Sequence, residues 1–166
     1  MYDVILADPP WRYTFSRSKT RRVENQYPTM TLEEILAYPA PANKNAVLYL
    51  WATAPKLPEA LAVMAAWGFT YKSCAVWDKV QIGMGYWFRG RHELLLVGTR
   101  GRFSPPGPGL RIPSIFTEPR GRHSAKPDFV HRLIEAAYPE ASKVELFARQ
   151  ERPGWAAVGN ELITHE

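Results

Sequence analysis

Five short apolar runs recur along the chain, at residues 2–7 (YDVILA), 45–51 (NAVLYLW), 69–77 (FTYKSCAVW), 93–98 (ELLLVG) and 143–148 (KVELFA). Runs of this length, rich in Val, Leu, Tyr and Trp, read as buried strands. The segments between several of them carry helical signals instead. Thr31-Leu-Glu-Glu34 spells a capping box that opens a helix reaching about Tyr38, where Pro39 and Pro41 end it. Residues 57–67 are rich in Ala and Leu, and Gly68 stands just past them as a C-terminal stop. Residues 127–138 (PDFVHRLIEAAY) place proline in a first turn and put Phe129, Val130, Leu133, Ile134 and Ala137 at helical spacing; Pro139 closes the segment. Strands alternating with helices predict an α/β fold on a mainly parallel sheet flanked by helices.

With 166 residues, 46% of them hydrophobic, the chain is long enough for one domain, 1–166, with a sizeable core. No window approaches the roughly 18 consecutive apolar residues of a membrane span, and Met1 leads straight into the first strand, so a cytoplasmic protein is expected. Cys74 is the only cysteine. An internal disulfide and a four-thiolate zinc site are therefore excluded. His92, His123, His131 and His165 show no ligand spacing, and no metal is expected.

Charge is segregated. Residues 12–22 hold five basic residues and no acid, and residues 79–126 hold nine against Glu93 and Glu118, while the rest of the chain is net acidic. Two long stretches that fit neither strand nor helix, about 8–30 and 101–126, fall in or overlap these basic regions. Long irregular segments in a compact domain are commonly functional, and segregated positive charge points to a polyanionic partner, nucleic acid above all. Arg17, Arg21 and Arg22 are the candidate phosphate contacts of the first loop.

That loop leaves the first strand at Ala7-Asp-Pro-Pro-Trp11, where open α/β sheets bind their ligands. Two consecutive prolines have no N–H to donate and present their carbonyl oxygens in a rigid frame. Asp8 adds a carboxylate and Trp11 a flat apolar face. Together they suit a planar ring bearing an NH2 group, such as the exocyclic amine of a nucleobase: acceptors grip its hydrogens while the indole stacks on the ring.

The strand followed by DPPW resembles the adenine-N6 methyltransferases related to the catalytic subunit of the eukaryotic mRNA adenosine methyltransferase, the MT-A70 family. The resemblance extends through YPTM at 27–30, W…GRHELLLVG at 87–98, HSAKPD at 123–128, KVELFAR at 143–149 and GW…GNE at 154–161. It implies a Rossmann-like fold with the catalytic motif ahead of the cofactor motif, S-adenosylmethionine as cofactor, and methylation of adenine N6. It also implies roles: Asp8, Pro9, Pro10 and Trp11 as the catalytic socket; Asp8, Lys126, Glu145, Phe147, Ala148, Arg149, Asn160 and Glu161 around the cofactor; and Trp11, Tyr27 and Glu93 facing the substrate. The compact chain and its Arg-rich first loop resemble DNA-modifying members, so DNA is the expected polymer. An RNA N6-adenosine methyltransferase and a non-catalytic nucleic-acid-binding subunit stay open as alternatives, and so does a homodimer or a partner subunit.

Overall fold

Val4, Ile5, Leu6 and Ala7 are fully buried because β1 (Tyr2–Ala7) is an inner strand with parallel partners on both edges, β2 (Ala42–Ala52) and β6 (Lys143–Leu146). The computed structural model describes residues 1–13, 28–121 and 125–159. Its seven strands also include β3 (Thr70–Asp78), β4 (His92–Arg100), β5 (Ile115–Thr117) and β7 (Ala156–Val158), in the spatial order β5-β3-β4-β2-β1-β6-β7. Six strands run one way. Only β4 is reversed, pairing antiparallel with both β2 and β3. The expected α/β sheet is thus present, mixed by a single strand.

Strand residues alternate between two faces, and each face is covered. Ile5, Leu48, Leu50 and Leu96 pack with Ile35 of α1 (Leu32–Leu36) and with Ala60, Val63 and Met64 of α2 (Leu57–Ala66). On the other face, Val4, Leu6, Trp51, Trp77 and Leu95 pack with Val130 and Ile134 of α3 (Asp128–Ala137).

The local signals account for the helix ends. The Glu34 amide donates to Thr31 Oγ1 at 3.2 Å and the Thr31 amide to the Glu34 carboxylate at 2.7 Å, the reciprocal capping box, in which the N-cap is worth about 1 kcal/mol. At the end of α2 the chain turns through Gly68 at φ +80°, and Arg100 Nη2 donates to the Trp67 carbonyl at 2.7 Å. The positive φ favours glycine here, and a Cβ would stand 2.6 Å from that guanidinium nitrogen, so a side chain at this position would also displace Arg100 from its bond to the Trp67 carbonyl. Pro127 is the N-cap of α3 rather than a residue of its first turn.

Three features depart from the sequence reading. β5 and β7 were not anticipated; each is three residues long and is defined by pairing to β3 and β6. The 101–126 stretch is therefore not wholly irregular, since it contains β5 and a 3-10 turn at Pro108–Leu110. Finally, β3 and β4 are joined by a third long irregular segment, residues 79–91. No helix among the described residues is long and apolar enough to cross a membrane.

Candidate active site

β1, β2 and β3 finish and β4 begins at one end of the sheet, and the loops leaving that end build a cavity of about 160 Å³. Asp8, Pro9, Pro10 and Trp11 just after β1, Trp51 of β2 and Thr53 just after it, Glu93 of β4, together with Tyr13, Lys126 and Arg149, line it. The DPPW turn is held by its backbone. The Pro9 carbonyl accepts the Trp11 N–H at 2.8 Å and the Pro10 carbonyl the Met30 N–H at 2.9 Å. A carbonyl oxygen has two lone pairs, so each retains one acceptor site. Trp11 is only 6% exposed, and its indole N–H donates to the Trp51 carbonyl at 3.2 Å. It contributes to the cavity wall and to the core at once. Also in the lining, the Tyr13 and Thr53 hydroxyls lie 2.7 Å apart.

Lys126 organises the charges. Its Nζ lies 3.2 Å from Asp8 Oδ2, 2.9 Å from Glu93 Oε2 and 5.7 Å from the centroid of the Trp51 ring. Glu93 uses its second oxygen on Lys79, at 3.3 Å. Burial pushes the Asp8 carboxyl above its ordinary value; Lys126 opposes that shift without cancelling it, and the neighbouring Glu93 adds to it. Burial also works against the charge on Lys126, but Asp8 and Glu93 outweigh it and hold the ammonium firmly protonated.

The structure brings together Asp8, Pro9, Pro10, Trp11, Glu93, Lys126 and Arg149 of the residues implicated by the sequence. Glu145 is engaged elsewhere: His131 Nε2 on α3 lies 2.8 Å from its carboxylate, on the α3 side of the sheet. Phe147 does not line the cavity but forms the turn after β6, at φ +62° and packed on Tyr38. Ala148 is buried behind it, its amide donating to the Val158 carbonyl at 3.1 Å. A Cβ on Gly159 would meet the Ala148 oxygen at 2.1 Å, so the turn and the chain leaving β7 are in close contact. Arg17, Arg21, Arg22, Tyr27, Asn160 and Glu161 lie outside the described residues. Sequence reasoning missed Lys79, Tyr13 and Thr53. The position of Thr53, directly after a buried strand at the ligand-binding edge, is the signal that could have flagged it.

Among the described residues, no group of three or more His, Cys, Asp or Glu side chains could hold a metal ion. The donor set fits something else. Two carboxylates, Asp8 and Glu93, beside two cations, Lys126 and Arg149, suit the ammonium and carboxylate of an amino-acid group. At about 160 Å³ the cavity is below the roughly 300–1,000 Å³ usual for small-molecule sites, so it fits one end of such a ligand rather than a donor and an acceptor together.

The family model for MT-A70 matches residues 2–161. This chain belongs to the MT-A70 family. It is an adenine-N6 methyltransferase, and membership implies S-adenosylmethionine as the methyl donor. The chain is 32% identical to the type II methyltransferase M.MunI of Mycoplasma sp, an alignment covering 97% of this chain and 78% of that protein. It is 30% identical to the N(6)-adenosine-methyltransferase MT-A70-like protein of Drosophila melanogaster and 29% identical to the human N(6)-adenosine-methyltransferase catalytic subunit METTL3. Those two matches again cover 97% of this chain, but only 27% and 28% of the relatives.

Proposed function

We propose that this chain, as one methyltransferase domain over 1–166 acting in the cytoplasm, moves a methyl group from S-adenosylmethionine to the N6 amine of adenine in DNA. The observation that carries the reading is Asp8, a partly buried carboxylate at a strand end, sharing one cavity with Pro9, Pro10, Lys126 and Arg149.

In this reading Asp8 Oδ1 and the remaining lone pair of a proline carbonyl accept the two hydrogens of the amine and turn its lone pair toward the reacting carbon. Lys126 and Arg149 hold the donor's carboxylate, and Asp8 lies near its ammonium. The donor, when bound, supplies an electrophilic methyl group. With the donor bound, its methyl would pass to N6 with loss of the carbon–sulfur bond; the surplus proton of the amine would leave to solvent, so Asp8 orients the amine and need not act as a strong base. Positioning supplies most of the rate. Adenine in a duplex hides N6, so the base reaches the cavity flipped out or from a single strand. DNA is favoured because the chain spans most of a type II methyltransferase and only about a quarter of the relatives named for adenosine.

Replacing Asp8 tests the assignment cleanly, because its ionised form is disfavoured by burial and its removal exposes no core. Asp8→Ala should keep its melting temperature at neutral pH and lose methyl transfer by 100-fold or more, on the order of one lost preorganised contact in a transition state. Turnover within a few-fold of the parent, followed with labelled donor, would refute the role. Matched DNA and RNA oligonucleotides read the polymer preference. Calorimetric titration with the donor addresses the non-catalytic alternative, which requires no binding.

A further inference from the structure

The segment joining β3 to β4, residues 79–91, rises from the same end of the sheet as the cavity. Its stem is firmly built. Arg91 forks onto Asp78 with contacts of 2.7 and 2.9 Å, the Lys79 amide donates to the Arg91 carbonyl at 2.9 Å, and Lys79 Nζ reaches Glu93 in the cavity wall. Above the stem the backbone closes on itself: the Gly83 amide donates to the Gly90 carbonyl at 2.6 Å and the Gly90 amide to the Met84 carbonyl at 3.2 Å. A Cβ on Gly85 would fall 1.9 Å from the Phe88 oxygen, so only glycine allows this closure. Met84, Tyr86, Trp87 and Phe88 are 78–94% exposed as a result. Contiguous exposed apolar surface of this kind marks an interaction site.

Charge selects the occupant. The segment carries Lys79, Arg89 and Arg91 and no acid, and Arg120 joins its flank through a 2.8 Å bond to Gln81. Two copies meeting tip to tip would oppose these cations to one another, which disfavours self-association. A polyanion is attracted, and aromatic faces interleaved with arginine are what nucleic-acid bases and phosphates stack on and pair with. We propose that the tip is a base-stacking wedge: Tyr86, Trp87 and Phe88 pack against bases flanking the target adenine, and Arg89 meets a neighbouring phosphate. This rests on the nucleic-acid reading above. A base drawn into the cavity leaves a gap in the stack, and apolar side chains carried on a stem rooted at the cavity wall fill it.

Trp87 reports on its own surroundings, being 94% exposed while Trp11, Trp51, Trp67, Trp77 and Trp155 are 9% or less. Iodide quenching of tryptophan emission is measured with and without a mixed-sequence single-stranded DNA oligonucleotide. DNA should quench the exposed component and shield it from iodide, and Trp87→Ala with Phe88→Ala should raise the DNA dissociation constant roughly tenfold or more. Trp87→Phe should stay within about threefold of the parent while losing the signal. Both variants alter side chains that the fold leaves in solvent. Trp87 open to iodide in the DNA complex, with an unchanged dissociation constant in the double variant, would overturn the wedge. So would shielding that appears without DNA and grows with protein concentration alongside a dimer in sedimentation, which would make the tip an interface between copies. None of these readouts needs turnover. A protein that stacks DNA on Trp87 but transfers no methyl group to adenine would contradict the catalytic reading and leave the wedge standing.

Discussion

Lys126→Met should cost about 3 kcal/mol at pH 7.5, and the loss should shrink on acidification. At contacts of 2.9 and 3.2 Å and an effective dielectric near 20, each carboxylate attracts the ammonium by roughly 5 kcal/mol before desolvation is subtracted. Removing one member of such a partly buried cluster typically costs 3–5 kcal/mol, because the partners stay behind without their counter-ion. Glu93 retains Lys79 at 3.3 Å, so the uncompensated charge is chiefly that of Asp8, and the lower end of the range applies. The pH dependence follows from the same carboxylate. Asp8 already sits above its ordinary value of 3.8, and loss of Lys126 removes the opposing attraction and raises it further. The folded variant then binds a proton that the unfolded chain releases, so it regains stability as pH falls from neutral toward the ordinary carboxylate range. Lys126 itself, held above 10.5, stays charged throughout that window in the parent. Urea unfolding of parent and variant at pH 7.5, 6.5 and 5.5 measures the gap. A gap under about 1 kcal/mol at pH 7.5, or one that does not narrow at pH 5.5, would refute the view that Lys126 is the neutralising centre of the site.

Two other substitutions examine how the site is supported. Trp11→Ala should lower stability by about 3–5 kcal/mol, because it empties a buried volume and removes the indole donor to the Trp51 carbonyl; a melting temperature near the parent's with weakened substrate binding would instead make Trp11 chiefly a stacking surface. Arg152, bonded to Glu135 at 2.6 and 3.1 Å, holds that carboxyl at about 2 with help from the Trp155 indole. The stabilisation is present above the ordinary value of 4.5 and is lost as pH falls toward 2, so a melting-temperature profile of Arg152→Ala should show a shallower acid decline than the parent across that range, the rest coming from Asp3, Glu34 and Asp78, whose carboxyls are also held low.

The strands and helices that were legible in the sequence share one property: their local pattern already states their burial. β1, β2, β3 and β6 are apolar runs and α3 an amphipathic one, and each lies within a few residues of its expected bounds. β5 and β7 carry no such pattern, because three residues on a sheet edge take their conformation from a neighbour's hydrogen bonds. The reversal of β4 was equally hidden. ELLLVG is buried in either direction, and only the partners on both sides fix which one is used. The site divides in the same way. DPPW is a local motif whose chemistry can be reasoned from its four residues, whereas Lys126 meets Asp8 and Glu93 across wide sequence separations that no spacing encodes. The aromatic tip, GMGYWFRG at 83–90, was not singled out in the sequence, because its exposure depends on glycine-closed turns and aromatic residues in sequence read first as core.

Strain at the rim of the site gives a last test, in which stability and ligand affinity should move in opposite directions. Phe147 stands at φ +62°, a region that costs a residue with a Cβ about 1–2 kcal/mol, and it turns the chain from the end of β6 toward Arg149 in the cavity. Its ring lies 4.8 Å from that of Tyr38, centroid to centroid. Phe147→Ala and Phe147→Gly both delete that contact, but only glycine also relieves the backbone. Phe147→Gly should therefore be the more stable of the two by about 1 kcal/mol, the reverse of the order expected at a site with ordinary dihedrals. If the held turn is what aims Arg149 at the donor, the freedom that stabilises the glycine variant also lets the turn wander, and its calorimetric affinity for S-adenosylmethionine should fall below that of the alanine variant. Equal stabilities would mean that the turn relaxes without help and stores nothing. A glycine variant that is more stable and binds the donor as well as the alanine variant would show the strain to be real but unconnected to the aim of Arg149.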